Sequence, residues 1–397
     1  MLTEPQEANE LRRHIFANHI DAVMIKRLLR LMFQRVQCTC RPSADDQTAP
    51  VCPGHVHTID PAEVERLLDI KPESLATILA YMELDSQNPI ITVLQNGFKT
   101  AVVDCYGGPA EMAYASQHCL AVAAGISVAC EQKTPAERVE YFASVRQLTI
   151  DLPYLCNRWG WRSSAVRQEL KNLEWHSSAG SGSSGPHRTG IQINLSGWSW
   201  WFWTHQVPVE PELLDQCFNS LQQRLKAIET AGLDSLDQLT RALAQVSKPR
   251  FDQIYPDSAP ASKEQLTLTA DRSERSALVH KLILAHFQTA QPSTSVECLS
   301  TDEISVSFTW PPPVTDSQIQ SVRSRVREFL QTHGPSLGDQ ITGRALANLF
   351  HGIPSPQFPS QSWCRNYRVW RTHLDVDWPL LYQVATEELR QNIHLLN

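Results

Sequence analysis

The sequence predicts an α+β fold that is mainly helical. Three observations predict it. Apolar residues recur at helical spacing through most of the chain. Short β-rich runs flank turn residues at a few places, chiefly around Asn96-Gly97. Two tight pairs of soft ligands, Cys38-x-Cys40 and Cys52-x-x-His55, follow the first helices and are joined by a polar, Pro-containing segment of eleven residues. The architecture expected is a helical segment clipped by those ligands, then winged-helix-like helix/hairpin modules, then a helical C-terminal domain.

Composition sets the outer bounds. At 397 residues the chain has material for two to four domains. Hydrophobic content of 42% and charged content of 19% describe a globular protein with some loose segments. The net charge of −7 excludes a global basic field, so any nucleic-acid contact rests on local patches. The ten cysteines are scattered outside the Cys38–Cys52 cluster, unlike a disulfide-stapled scaffold. The start, MLTEPQEANELRR, has no apolar run, and the Cys119–Cys130 stretch is too short to span a bilayer. The expectation is a reducing intracellular compartment and no membrane partner.

Residues 7–36 read as two helices. Ile20, Val23, Met24, Leu28, Leu31 and Met32 give the second an apolar face, and Lys26, Arg27 and Arg30 mark the other side. No acid lies between Asp21 and Asp45. A solvated face is the ordinary reading of such a stripe; phosphate contact is the sharper one. Thiolates and an imidazole in two short pairs suit a closed tetrahedral Zn²⁺ site, with Cys38, Cys40, Cys52 and His55 as ligands. Pro53-Gly54 turns the chain between Cys52 and His55, and His57 is a spare imidazole. Buried cysteines or a disulfide are the alternatives.

Asp60 is a candidate N-cap, with Pro61 at the first helical position and Glu63 three residues past the cap. A second helix runs from about Pro72 to Leu84, and Ile90–Leu94 and Phe98–Val103 form a predicted hairpin around Asn96-Gly97. Helix, helix, hairpin is the winged-helix order. The order recurs. Pro135 to Leu148 and Leu152 to Trp159 read as helices, and Ser163 or Ser164 caps a third, to about Trp175. A Gly/Ser run closed by Pro186 leads to paired runs Ile191–Leu195 and Trp198–Trp203. Residues 163–175 are the candidate recognition helix, with Arg162, Arg167 and Lys171 on its basic side. A helical packing domain that never meets DNA is the equal alternative. The WSWWFW run at 198–203 reads first as a strand packed on both faces, and second as a stacking platform.

Residues 209–246 are helical by pattern, about 247–315 is a linker with one helix near Glu274–Phe287, and a further helix spans about Asp316–Thr332. Thr342 caps a helix through Phe350. Then Arg365, Arg368 and Arg371 interleave with Tyr367 and Trp370, and Arg344 adds a fourth positive charge in a stretch free of acid from Asp339 to Asp375. Backbone contact with stacking needs this mixture; a solvated surface with Trp370 in the core is the alternative. The expected domains are 1–59 with the zinc site, 60–130 and 131–207 as winged-helix-like modules, 208–246 helical, 247–315 linker, and 316–397 a C-terminal helical basic domain. No phosphate-binding loop, no G-x-S-x-G elbow and no H-E-x-x-H occurs. A closed zinc site leaves no open position for water, so catalysis by the metal is not expected.

The blocks ELRRHI, IKRLLRLMF, CTC, VCPGH and CYGGP, in that order, with ITGRALANLFHGIPSPQFP, YRVWRTHL and YQVATEELRQ near the end, resemble RecQ-like type 4 helicases, the Rothmund–Thomson syndrome branch of the RecQ family. The resemblance covers most of the chain and is weakest near 250–315. It implies a 3′-to-5′ ATP-dependent DNA helicase family acting in DNA replication and repair in the nucleus. It also implies zinc on Cys38, Cys40, Cys52 and His55, and DNA, single-stranded or forked, as partner. Other replication and repair proteins are further partners. ATP and Mg²⁺ would belong to a motor domain that this chain lacks, so the chain by itself is expected neither to hydrolyse ATP nor to unwind DNA. It is expected to be a fragment or a separately encoded C-terminal part. A structural interaction module without direct DNA binding is the alternative function.

Overall fold

In the computed structural model the residues described are 5–33, 54–85, 89–176, 187–205, 209–246, 273–281, 283–284, 314–337 and 341–392. They divide into two units, 20–223 and 1–19 with 224–397. The helices are more extensive than the sheet, as the sequence predicts, and every strand pairing is antiparallel.

The unit of residues 20–223 is a repeat. Helix α2 (Ala22–Phe33) leads into β1 (His55–Ile59), α3 (Pro61–Leu68), α4 (Pro72–Glu83), β2 (Ile91–Val93) and β3 (Gly97–Cys105). Two helices, α5 (Pro109–His118) and α6 (Leu120–Ala129), and then α7 (Pro135–Ser144) follow. The pattern returns with β4 (Gln147–Asp151), α8 (Leu152–Trp159), α9 (Ser163–Asn172), the short ribbon β5 (Trp175–His176) with β6 (His187–Arg188), and β7 (Ile191–Thr204). Both copies enter their helix pair through Thr-Ile-Asp: Thr58-Ile59-Asp60 and Thr149-Ile150-Asp151. Each Asp caps the next helix, Asp60 accepting from Ala62 N at 2.9 Å and Asp151 from Tyr154 N at 2.9 Å. A proline sits in the first turn of both helices, where no N–H is needed.

The strands do not pair as the sequence predicts. β2 and β3 do not close on each other; both pair with β7. β7 is one strand of fourteen residues, where two paired runs are expected. Its first part lies against β3, from Ile191 opposite Cys105 to Ser199 opposite Gly97. Its last part, to Thr204, lies between β1 and β2. β3 in turn pairs with β4. The final strand of the second copy thus completes the sheet of the first, and β3 completes that of the second. The expected boundary at 130/131 runs across this sheet, since β3 before it pairs with β4 and β7 after it.

Gly97 explains the missed hairpin. A tight hairpin turn needs positive φ at its central residues, and Gly97 is not among the residues with positive φ. It instead begins β3, with the Arg167 guanidinium resting over it, 2.1 Å from where a Cβ would stand. Within the strands that meet here, the glycine with positive φ is Gly197 in β7, φ +70°. The predicted helix 135–148 ends at Ser144, because Leu148 and Ile150 enter the core as alternate residues of β4. Trp201 and Phe202, adjacent in β7, point to opposite faces and are both 1% exposed, which is the two-sided packing the sequence suggests. Trp198 is the exception at 52% exposed, edge-on to Phe98. Trp201 Nε1 donates to Gly97 O at 3.1 Å, tying β7 to the start of β3.

The unit of residues 1–19 and 224–397 is helical. It contains α1 (Pro5–Phe16), most of the long α10 (Pro211–Val246), a helical stretch at 273–281, α11 (Asp316–Leu337), α12 (Gly343–His351), the single turn α13 (Ser360–Trp363) and α14 (Trp378–Gln391). α11 continues five residues past the predicted end at Thr332. Thr342 caps α12 as expected, accepting from Ala345 N at 3.1 Å. Phe16 and Tyr382 both stack on Trp378, with centroids 5.1 and 5.4 Å away, and Trp378 Nε1 donates to Asn348 Oδ1 at 3.0 Å. Gly343 lets α12 cross α14 closely, since a Cβ would lie 2.9 Å from Thr386 Cα. Glu388, its side chain fully buried, receives Arg327 Nε at 2.8 Å and Arg323 Nη1 at 3.2 Å. The hydrogen bond from Arg327 holds its carboxyl below the ordinary range.

Two measurements check these cores. Trp201→Phe removes one buried hydrogen bond and is expected to cost about 1–3 kcal/mol, and Trp201→Ala about 3–5 kcal/mol, in urea unfolding followed at the 20–223 unit. In the other unit, His351 is 1% exposed and donates from Nε2 to Val376 O at 2.9 Å. Burial pushes its pKa down to about 4. The unfolded imidazole takes its proton first, near 6.5. The contribution to stability is therefore complete above about pH 6.5 and is lost as pH falls toward about 4. The urea midpoint of this unit should fall through that window, less steeply in His351→Gln.

Candidate nucleic-acid interface

In the repeated unit the amphipathic pattern of α2 turns Met24, Ile25, Leu28, Leu29 and Met32 inward. Arg27 and Arg30 stand exposed on the other face, and Lys26 lies over the Phe218 ring at 4.8 Å. The three basic residues expected on one face are thus on it, with Lys26 engaged in a cation–π contact.

Helix α9 is the better defined surface. Val166 and Leu170 hold it to the core. Ser164, Gln168 and Lys171, at spacings of four and three, form an exposed polar stripe, and Arg162 stands exposed just before the helix. The acids of this region are turned inward and used. Glu169 accepts from Leu120 N at 2.7 Å, and Glu174 accepts from Ile193 N at 2.8 Å. The exposed face therefore carries basic and neutral hydrogen-bonding groups without a competing carboxylate. Arg167, predicted to belong to it, does not: its guanidinium packs on Gly97 and its Nε donates to Ser163 O at 3.3 Å. The predicted serine cap is also absent, Ser163 being the first helical residue behind Arg162. Ser164 and Gln168 are additions that helical spacing from Lys171 could have supplied. The corresponding helix of the first copy, α4, exposes Glu73, Ala76 and Thr77 and has no basic residue between Pro72 and Glu83.

The C-terminal arginines divide in the same way. Arg365 and Arg368 are exposed, and Tyr367 between them is 86% exposed. Arg371 is paired with Glu10, and its stem lies against Gly352. Arg344 is 5% exposed, and its Nη2 donates to Ala17 O at 3.5 Å. The whole of α12 is buried, every residue from Gly343 to His351, so Arg344 is buried with it. Trp370 packs partly buried against the apolar core, so the aromatic that stays exposed in this stretch is Tyr367.

Of the expected zinc ligands, Cys38, Cys40 and Cys52 lie outside the described residues. His55, the first residue of β1, is 2% exposed, and burial lowers its pKa. A neutral, buried imidazole is the form that ligates Zn²⁺, so the described member of the set fits the metal. Gly54 before it has φ +98°, and a Cβ there would meet Thr204 O at 2.2 Å, so the close passage into β1 requires glycine. His57 faces Phe202, with ring centroids 5.6 Å apart. Among the described residues no group of three or more His, Cys, Asp or Glu side chains is placed to hold a metal ion, and no single helix is long and apolar enough to cross a membrane.

No protein-family model matches the chain. Over 96% of its length it is 27% identical to the mouse ATP-dependent DNA helicase Q4, and over 98% it is 25% identical to the human ATP-dependent DNA helicase Q4. The resemblance to RecQ-like type 4 helicases runs through nearly the whole chain. A shorter stretch of 68 residues is 31% identical to the ATP-dependent DNA helicase Q-like 5 of Arabidopsis thaliana, covering 17% of the chain. The chain spans only 30% of the mouse and 32% of the human relative, and corresponds to their C-terminal, non-motor part.

The two classes of arginine separate by experiment. Arg344→Glu places a carboxylate in a buried site and should cost about 3 kcal/mol or more in urea unfolding. Arg365→Glu, on the surface, should stay within about 0.5 kcal/mol of the parent.

Proposed function

We propose that this chain is the DNA-binding, zinc-containing C-terminal region of a RecQ-like type 4 ATP-dependent 3′-to-5′ DNA helicase that acts in DNA replication and repair in the nucleus. ATP and Mg²⁺ would serve the motor domain of the longer protein. The observation that carries the reading is the outer face of α9. It has the second helix of a strand–helix–helix–strand module, Arg162 and Lys171 exposed, and every nearby acid committed to an internal hydrogen bond. A winged-helix module presents that helix to the duplex. Arg162 and Lys171 would take phosphates, with Ser164 and Gln168 available to base edges or phosphate. Lys26, Arg27 and Arg30 on α2 extend the phosphate contacts, and zinc on Cys38, Cys40, Cys52 and His55 would hold the segment between α2 and β1.

Fluorescence-anisotropy titrations with duplex, forked and single-stranded DNA over a range of salt test it. Binding should weaken with salt, and the double variant Arg162→Glu/Lys171→Glu should lower the salt dependence of duplex binding by about two counterions. Unchanged duplex affinity in that variant would remove α9 as the interface. Metal analysis should return about one zinc per chain. Chelation or Cys52→Ser should lower the stability of the 20–223 unit, and retention of zinc in Cys52→Ser would contradict the ligand set.

A protein-facing role has its own observation in α7, which buries no residue and exposes Val139 and Phe142. Under that reading replication and repair proteins dock there. Phe142→Glu should then abolish their association and leave DNA affinity intact; loss of DNA affinity would count against it.

A further inference from the structure

Along α11, Arg325, Phe329, Thr332 and His333 fall on one face at helical spacing. The turn at 366–369 passes over that face, and the two enclose a cavity of about 230 Å³. Its polar lining is Arg325, Glu328, Thr332, His333, Asn366 and Arg368, and Phe329 and Val369 form the apolar part. The turn is anchored from below, because Val369 is 5% exposed and its N–H is donated to Asn366 O at 3.1 Å. His333 is held edge-on to Trp363 with centroids 5.3 Å apart, and lies 4.9 Å from the Phe329 ring. The Arg368 side chain makes no ion pair among the described residues, and its backbone N–H is donated to Asn366 Oδ1 at 3.3 Å. Immediately beside it Tyr367 stands 86% exposed.

We propose that this cavity is a phosphate-binding subsite for single-stranded nucleic acid, with Arg368, Arg325 and His333 around the phosphate and Tyr367 as the stacking surface for an adjoining unpaired base. The inference rests on the DNA-binding reading above and names a second site, in the other unit, with a different substrate. The cavity is below the roughly 300–1,000 Å³ of sites for drug-sized ligands and suits a phosphodiester segment. Two guanidiniums give planar donor forks that match phosphate oxygens. A largely exposed tyrosine between two exposed arginines, Arg365 and Arg368, supplies what an unpaired strand can use: a ring for stacking beside charge for the backbone. Glu328 is the opposing group. It holds Arg325 Nη1 at 2.7 Å, with its own side chain 55% exposed. An exposed pair of this kind is weak and yields to a better anion.

That opposition gives the test its sign. The full chain is titrated with fluorescein-labelled oligothymidylate and, separately, with duplex DNA. Arg368→Glu should weaken oligothymidylate binding and lower its salt dependence by about one counterion. Tyr367→Ala should weaken it by at least about fivefold. Glu328→Gln, which releases Arg325, should strengthen it, an outcome that a general loss of structure does not produce. None of the three should change duplex affinity, while Arg162→Glu/Lys171→Glu should change duplex affinity and leave the Arg368 effect in place. Oligothymidylate binding that is unmoved by Arg368→Glu and Tyr367→Ala overturns this subsite while the α9 reading stands. Absence of binding to any DNA overturns both. Equal competition by polyglutamate and by unlabelled oligothymidylate would make the cavity a site for an acidic protein segment and would overturn the nucleic-acid assignment.

Discussion

The repeated unit depends on one strand serving two sheets. β7 pairs along its first part with β3, and along its last part with β1 and β2. Neither copy of the strand–helix–helix–strand pattern owns a complete sheet. An unpaired backbone edge in a core is costly, so each copy is complete only when the other's strand is in place. The hydrogen bond from Trp201 to Gly97 sits where β7 passes from one sheet to the other. The same crossing puts Arg167 on Gly97, which takes that arginine out of the surface and leaves Arg162 and Lys171 to define it.

Inward use of acids is the second constraint on the exposed face of α9. The chain as a whole is negative, with a net charge of −7. A local surface can still favour anions if its carboxylates are consumed by the fold. Glu169 and Glu174 bond backbone N–H groups, at the start of α6 and on β7. In the other unit Glu388 is consumed by Arg323 and Arg327, and Glu10 by Arg371. Net charge therefore says little about where this protein meets a partner; the pairing pattern says more.

Much of the order of elements was legible in the residues. Asp60 and Thr342 signal their helices by cap chemistry, and both caps form. The Leu152–Trp159 helix, the α9 segment and the two helices before β1 follow from apolar spacing. The errors have a common source. Asn96-Gly97 carries the local signal of a hairpin, but in the fold Gly97 starts a strand, lies beneath the distant Arg167 and accepts a hydrogen bond from a tryptophan more than a hundred residues away. β1 and β4 were missed because each is only five residues long, too short for alternation to stand out from neighbouring helices. The C-terminal arginines could not be sorted by composition. Arg344 and Arg365 look alike in the sequence, and only the complete burial of α12 in its unit takes the first out of solvent.

The sequence by itself determined the doubled helix–helix–strand order, the cap positions and the resemblance to RecQ-like type 4 helicases. Each of these is carried by residue identity or by local spacing, which need no partner from elsewhere in the chain. Tertiary structure alone decided which strand completes which sheet, which basic residues remain free and where α11 meets the 366–369 turn. Those outcomes depend on contacts between residues far apart in sequence, such as Gly97 with Trp201 and Arg325 with Arg368 around one cavity. No local pattern encodes such a meeting; the packing of buried faces brings it about.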